Sequence, residues 1–109
     1  MKIEIENRDN IQILYILGNM DTINTPSMEQ ELEKIIPGLT GQKLVISLKQ
    51  VKFVSSSGLR VLVKTYKDCE LKGIRIILTD VNKAVEQALL LLKLDTFFTI
   101  KPALEDAFR

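Results

Sequence analysis

The sequence predicts an α/β fold, with a mostly parallel sheet of four to five strands opened by an antiparallel pair and covered by about four helices. Three observations lead there. The 109 residues suit one domain spanning 1–109, with 46% hydrophobic and 27% charged residues, the balance of an ordinary globular chain. The opening residues read as two short strands around a polar turn. Beyond them, apolar strand-like runs alternate with stretches of helical periodicity, an order that favours parallel strands joined by crossover helices.

Ile3 and Ile5 alternate with Lys2, Glu4 and Glu6, the period of a half-exposed strand. Asn7-Arg8-Asp9-Asn10 is a turn of hairpin type, and Ile11 to Leu17 a second, more buried strand. Gly18 to Thr22 breaks it. Pro26 suits the first turn of a helix, with Asn24 or Thr25 as its cap. Met28, Leu32, Ile35 and Ile36 share one face of that helix, away from Glu29, Glu31, Glu33 and Lys34, and Pro37-Gly38 ends it. Lys43 to Leu48 is nearly continuous and apolar, as a central strand covered on both sides requires. Val51 to Val54 continues as an extended edge or short strand into Ser55-Ser56-Ser57-Gly58. From Ser56 or Ser57 the pattern is helical: Leu59, Leu62, Val63, Tyr66 and Cys69 form a stripe, Arg60, Lys64, Lys67 and Asp68 lie elsewhere, and Gly73 closes the helix. Ile74 to Leu78 is another buried strand. Thr79 or Asp80 caps a helix whose face carries Val81, Val85, Ala88, Leu89 and Leu92. Leu90 and Leu91 fall outside that stripe, either as a partner or dimer patch or because the helix is buried all round. Phe97 to Ile100 adds a last extended piece, and Pro102 to Phe108 a terminal helix.

Composition removes several functions. The net charge of +1 is spread along the chain, with no basic block for nucleic acid. The lone Cys69 excludes an internal disulfide and a multi-cysteine metal site, and its core-facing spacing marks a buried thiol. There is no histidine, so Ser-His-Asp triads, Cys-His pairs and histidine metal ligands are absent, and no metal site is expected. Neither GxxxxGK[ST] nor GxGxxG occurs, so any nucleotide belongs to a partner, and no cofactor is expected. The start lacks a signal peptide's apolar run, and no stretch approaches the roughly 20 apolar residues of a membrane span. A cytoplasmic location follows as the expectation.

Loops at the carboxyl ends of parallel strands gather on one edge, which would set Gly18–Thr22 beside Val54–Gly58 and place Asp21 with the serines. Serine is a good helix cap, worth about 1 kcal/mol. One cap needs one serine, however, and three leave hydroxyls free. With Ser55 or Ser56 as cap, Ser57 falls in the first turn. Gly58 is disfavoured there by roughly 1 kcal/mol against alanine, but it allows another molecule's backbone to approach closely. A phosphate on Ser57 would meet unpaired N–H groups at the positive helix end and oppose an acidic or apolar partner surface. Arg60, Lys64 and Lys67 are a solvated helix face by default and a basic edge for an acidic groove otherwise.

The segment Val51-Lys52-Phe53-Val54-Ser55-Ser56-Ser57-Gly58-Leu59 closely resembles the Asp-Ser-Ser-Gly-Leu segment of STAS domains, specifically bacterial anti-sigma-factor antagonists. Leu17-Gly18-Asn19-Met20-Asp21 is similar to the family's Gly-x-Leu-Asp, and Leu44 to Leu48 to its Val-Ile-Asp-Leu strand. Leu91 to Ile100 is similar to its closing Gly-Leu-Asp-x-x-Phe-x-Ile. The resemblance implies a STAS fold over nearly the whole chain and a non-enzymatic, protein-binding role. It implies an anti-sigma factor that is also an ATP-using serine kinase as partner, and a phosphatase that resets the switch. It maps the phosphoacceptor to Ser57, its neighbour to Ser56 and the loop aspartate to Asp21, and with Gly58 and Arg60 these last two are the expected partner contacts. Two positions depart from the family pattern: Ser55 and Ser47 stand where aspartates are usual, and at Ser55 this removes a negative charge and an acceptor from the loop. Two further readings compete. One is a STAS scaffold that is not phosphorylated, a subunit of a lipid-transport or stress-sensing assembly. The other is a small hydrolase with Ser57 as nucleophile, which without histidine would need a Ser-Lys arrangement. Nothing in the sequence sets an oligomeric state.

Overall fold

Asp9 and Asn10 both adopt left-handed backbone angles, φ 53° and 63°, the tight turn whose twist suits an antiparallel hairpin. It joins β1 (Ile3–Arg8) to β2 (Ile11–Ile16), with Ile3 opposite Ile16 and Arg8 opposite Ile11. The computed structural model describes residues 2–109. Three strands follow in parallel, β3 (Lys43–Ser47), β4 (Arg75–Thr79) and β5 (Thr99–Lys101), and the order across the sheet is the order along the chain. Each parallel step is made through a helix: α1 (Thr25–Ile35), α2 (Ser56–Leu71) and α3 (Lys83–Leu91).

Alternation along the strands divides the core in two. Leu14, Leu44, Ile46, Ile76 and Leu78 face the helices, against Met28, Leu32, Leu62, Cys69, Val85 and Leu89. Ile13, Val45 and Ile77 face the opposite way and are covered by the 3-10 turn Leu104–Phe108 through Ala107. This two-sided cover explains the uninterrupted apolar run of β3. The expected terminal helix is thus a 3-10 turn of five residues, too short for an α-helix to gain from propagation, and three α-helices stand where about four were anticipated.

Helix faces also shift. On α2 the buried set includes Val61 and Thr65, because α1 packs on that flank; the Thr65 hydroxyl donates to the Val61 carbonyl at 2.8 Å. Val63 and Tyr66 are only half-buried, and Tyr66 stacks on Phe97 with ring centres 4.8 Å apart. The cap of α3 is neither Thr79 nor Asp80 but Asn82, whose side-chain oxygen accepts from Val85 N–H at 2.8 Å. That helix ends before Leu92, which is exposed rather than part of the buried stripe. Leu90 and Leu91 are exposed too, which removes the all-round buried reading. Among the described residues no three metal-ligating side chains come together, and no helix is long and apolar enough to cross a membrane.

Candidate functional site

The loop after β2 and the extended segment before α2 lie side by side at the carboxyl edge of the sheet. Met20 and Val54 form a parallel bridge; Met20 N–H donates to the Phe53 carbonyl at 3.1 Å, and Ser55 N–H to the Met20 carbonyl at 2.8 Å. Two asparagines hold the segment from either side. Asn19 Oδ1 accepts from Lys52 and Phe53 N–H at 2.8 and 3.1 Å, while Asn82 Nδ2 donates to the Val51 and Lys52 carbonyls at 3.3 and 3.1 Å. Sequence reading missed both. An Asx residue ahead of Lys83-Ala84-Val85 was the available signal for Asn82; for Asn19, with partners 33 and 34 residues away, there was none.

Within the serine cluster Ser55 is the cap. It is extended, with ψ 173°, and its Oγ accepts from Gly58 N–H at 3.2 Å. The same hydroxyl donates to the Met20 carbonyl at 3.1 Å and lies 2.7 Å from Ser57 Oγ. Ser57 is half-buried in the first turn, and Ser56 is exposed. Arg60, one turn on from Ser56, shares its exposed face, whereas Lys64 pairs with Glu33 at 3.3 Å. Leu59 N–H makes the first intrahelical bond, to the Ser55 carbonyl. The N–H groups of Ser56 and Ser57 have no partner among the described residues, as the first turn of a helix leads one to expect.

Asp21 works locally. One carboxylate oxygen accepts from Ile23 and Asn24 N–H at 3.1 and 2.8 Å, and its carbonyl accepts from both the N–H and the hydroxyl of Thr25. Asn24 stands at the cap position of α1, one of the two anticipated, but its side chain makes no cap bond; the Asp21 turn starts the helix instead. Gly58 differs from expectation in a different way. It is buried, and a Cβ there would lie 2.5 Å from the Met20 carbonyl oxygen and 2.9 Å from the Met20 side chain. The backbone it admits is this chain's own.

Two exposed apolar side chains flank these residues, Ile23 at 87% and Phe53 at 55% exposure. Ser47 lies elsewhere. It is buried at the end of β3, on the sheet face away from the helices, bordering a groove of about 360 Å³ with Tyr15, Lys49, Asp80 and Glu105.

The edge thus presents an ordered helix start with hydroxyls, free N–H groups and an apolar rim, the surface of a recognition domain. The chain belongs to the STAS domain family, whose model matches residues 2–107. It is 29% identical over 102 residues to an anti-sigma F factor antagonist of Paenibacillus polymyxa, covering 94% of this chain and 85% of that protein. The crystal structure of an anti-sigma factor antagonist from Mycobacterium paratuberculosis superimposes with a TM-score of 0.85 at 26% identity, over 97% of this chain and 89% of that one. A Thermotoga maritima structure reaches 0.88 at 22% identity over 97% and 91%, a likeness of fold. The family is one of non-enzymatic binding modules.

Proposed function

We propose that this chain is a cytoplasmic anti-sigma-factor antagonist that binds an anti-sigma factor through the Met20–Asp21 and Ser55–Ser57 edge and is switched off by phosphorylation of Ser57. The observation that carries this is the placement of Ser57. Its hydroxyl sits in the first turn of α2, beside two N–H groups with no partner among the described residues, on an edge rimmed by Ile23 and Phe53. An anti-sigma factor packing on that rim would bury Ser57, so a dianionic phosphate there would be left desolvated against apolar surface. Ser56 and Arg60 supply polar contacts. Asp21 orders the loop and offers its second carboxylate oxygen. Gly58 contributes indirectly, by letting α2 approach Met20. The names of the relatives support the antagonist reading; the kinase and a resetting phosphatase rest on the resemblance of the loop.

Ser57→Ala is expected to bind the cognate anti-sigma factor like the wild type, and Ser57→Asp at least tenfold more weakly, read by titration calorimetry. Incubation with that factor and ATP should place phosphate on Ser57, located by peptide mass spectrometry. Indifference of binding to both substitutions, with no phosphate on Ser55, Ser56 or Ser57, would leave the unphosphorylated scaffold as the better account.

A further inference from the structure

Ser55 has one hydroxyl proton and three polar neighbours. The Met20 carbonyl, 3.1 Å away, can only accept; Gly58 N–H, at 3.2 Å, can only donate. With the proton of Ser55 on Met20, its one purely accepting neighbour, Ser57 is the donor in the 2.7 Å contact between the two serines. The chain of bonds runs in one direction, from Ser57 to Ser55 to Met20. Ser47, the other departure from the family pattern, lies on the opposite sheet face and takes no part.

Phosphorylation reverses the first link. Transfer from a nucleoside triphosphate forms the bond from Ser57 Oγ to phosphorus, breaks the bond from phosphorus to the bridging oxygen of the departing nucleoside diphosphate, and sends the Ser57 proton to a base. Ser55 is not that base: its oxygen is neutral and already accepts two hydrogen bonds, so the kinase must supply one. Afterwards Ser57 has nothing left to donate. Two oxygens would face each other at 2.7 Å with lone pairs opposed, unless Ser55 turns its proton toward the phosphorylated side chain.

We infer that Ser55 is a relay, a positioning residue that moves its single proton from the Met20 carbonyl to Ser57 when Ser57 is phosphorylated and so loosens the Met20–Asp21 loop. The inference rests on the reading of Ser57 as phosphoacceptor. Met20 keeps the bond from Ser55 N–H at 2.8 Å, so the loop is loosened rather than released. An aspartate at position 55 would accept from Gly58 and Ser57 but has no proton for Met20 when ionised. The coupling therefore belongs to a hydroxyl at this position.

The test installs phosphoserine in place of Ser57 by codon reassignment, with no kinase involved, and reads the Met20 carbonyl carbon by NMR. With wild-type Ser55, and with Ser55→Thr, phosphoserine should shift that carbon to lower frequency, as a carbonyl that loses a hydrogen bond does. In Ser55→Asp, which keeps a cap acceptor, the carbon should already be shifted and phosphoserine should move it no further. No shift with wild-type Ser55, or an equal shift in Ser55→Asp, would overturn the relay. A shift confined to Ser55 and Ser55→Thr, in a protein that the cognate kinase never labels, would support the relay and remove the switch reading instead.

Discussion

Gly58 and Lys93 show how steric demand and backbone propensity trade at single residues. Gly58 lies in a helix, where alanine would be favoured by about 1 kcal/mol. The space for a Cβ is already taken by the Met20 carbonyl, part of a backbone pinned by the Val54 bridge, so neither partner can yield cheaply. Gly58→Ala is therefore expected to destabilise the fold by about 1–3 kcal/mol in urea titration, the overpacking penalty exceeding the propensity gain. Lys93 presents the reverse case. It takes φ 57° immediately after α3, at the left-handed helix-end position that glycine occupies most easily. Its side chain is exposed, so Lys93→Gly is expected to stabilise by about 0.5–1 kcal/mol in the same titration. Cys69 needs no such balance. Burial pushes its thiol up to about 11, Asp68 adds to the shift, and a thiol so placed stays protonated and inert at neutral pH.

Elements were legible in the sequence where a period or a punctuating residue defined them. The hairpin, the apolar β3 and β4, and all three α-helices stand close to where alternation and the Pro37-Gly38 and Gly73 breaks put them. Ser55 as cap and the adjacency of the Gly18–Thr22 and Val54–Gly58 loops were also within reach, because strand order dictates which loops meet. What periodicity could not supply was anything set by a neighbour distant in sequence. The burial of Val61 and Thr65 depends on α1, and the exposure of Leu92 on where α3 stops. The clamp of Asn19 and Asn82 on Val51–Phe53 depends on tertiary placement alone. That clamp is an element-scale device, because the segment has a single bridge and no ladder to hold it. Asn19→Ala should cost only about 1 kcal/mol globally, since Lys52 and Phe53 are exposed and water can replace the lost acceptor. Locally the effect should be larger: the Lys52 and Phe53 amides should exchange with deuterium several-fold faster, while those of β3 and β4 keep wild-type protection. Uniform acceleration across this segment, β3 and β4 would show that Asn19 supports the whole sheet instead.

Across the whole molecule the two faces of the sheet are unequally covered. Three helices bury one face, and one 3-10 turn buries the other. That turn is tied down at its edge by the half-buried charges of Arg8 and Glu6 and the exposed one of Glu105. Arg8 bonds Glu6, reaches Glu105 at 3.5 Å, and stacks over the Phe108 ring at 5.4 Å. Arg8 and the Tyr15 hydroxyl together hold the Glu6 carboxyl below its ordinary range, while the bond to Glu6 raises Tyr15. A lowered carboxyl stabilises above its unfolded value and loses that contribution as pH falls through the folded one; a raised tyrosine loses its contribution as pH rises past the ordinary phenol range. These ties are therefore complete around neutrality. Ala107 is the point at which the cover can be tested, because it alone of the turn is fully enclosed, against Ile13, Val45 and Ile77. In Ala107→Asp a carboxylate would be desolvated there at a cost of several kcal/mol if the turn stayed in place. The turn can instead peel away, and releasing so short a segment sets the ceiling on the penalty. Exposing Ile13, Val45 and Ile77 and freeing Leu104 and Phe108, less the entropy regained by five residues, amounts to about 2–4 kcal/mol. The loss in urea titration should thus stop near that ceiling, with amide protection lost from Leu104 to Phe108 and kept in α2. Because the serine edge is built against the helix-covered face, affinity for the anti-sigma factor should remain within a few-fold of wild type. Collapse of both affinity and α2 protection would mean that the two faces fold as one inseparable unit.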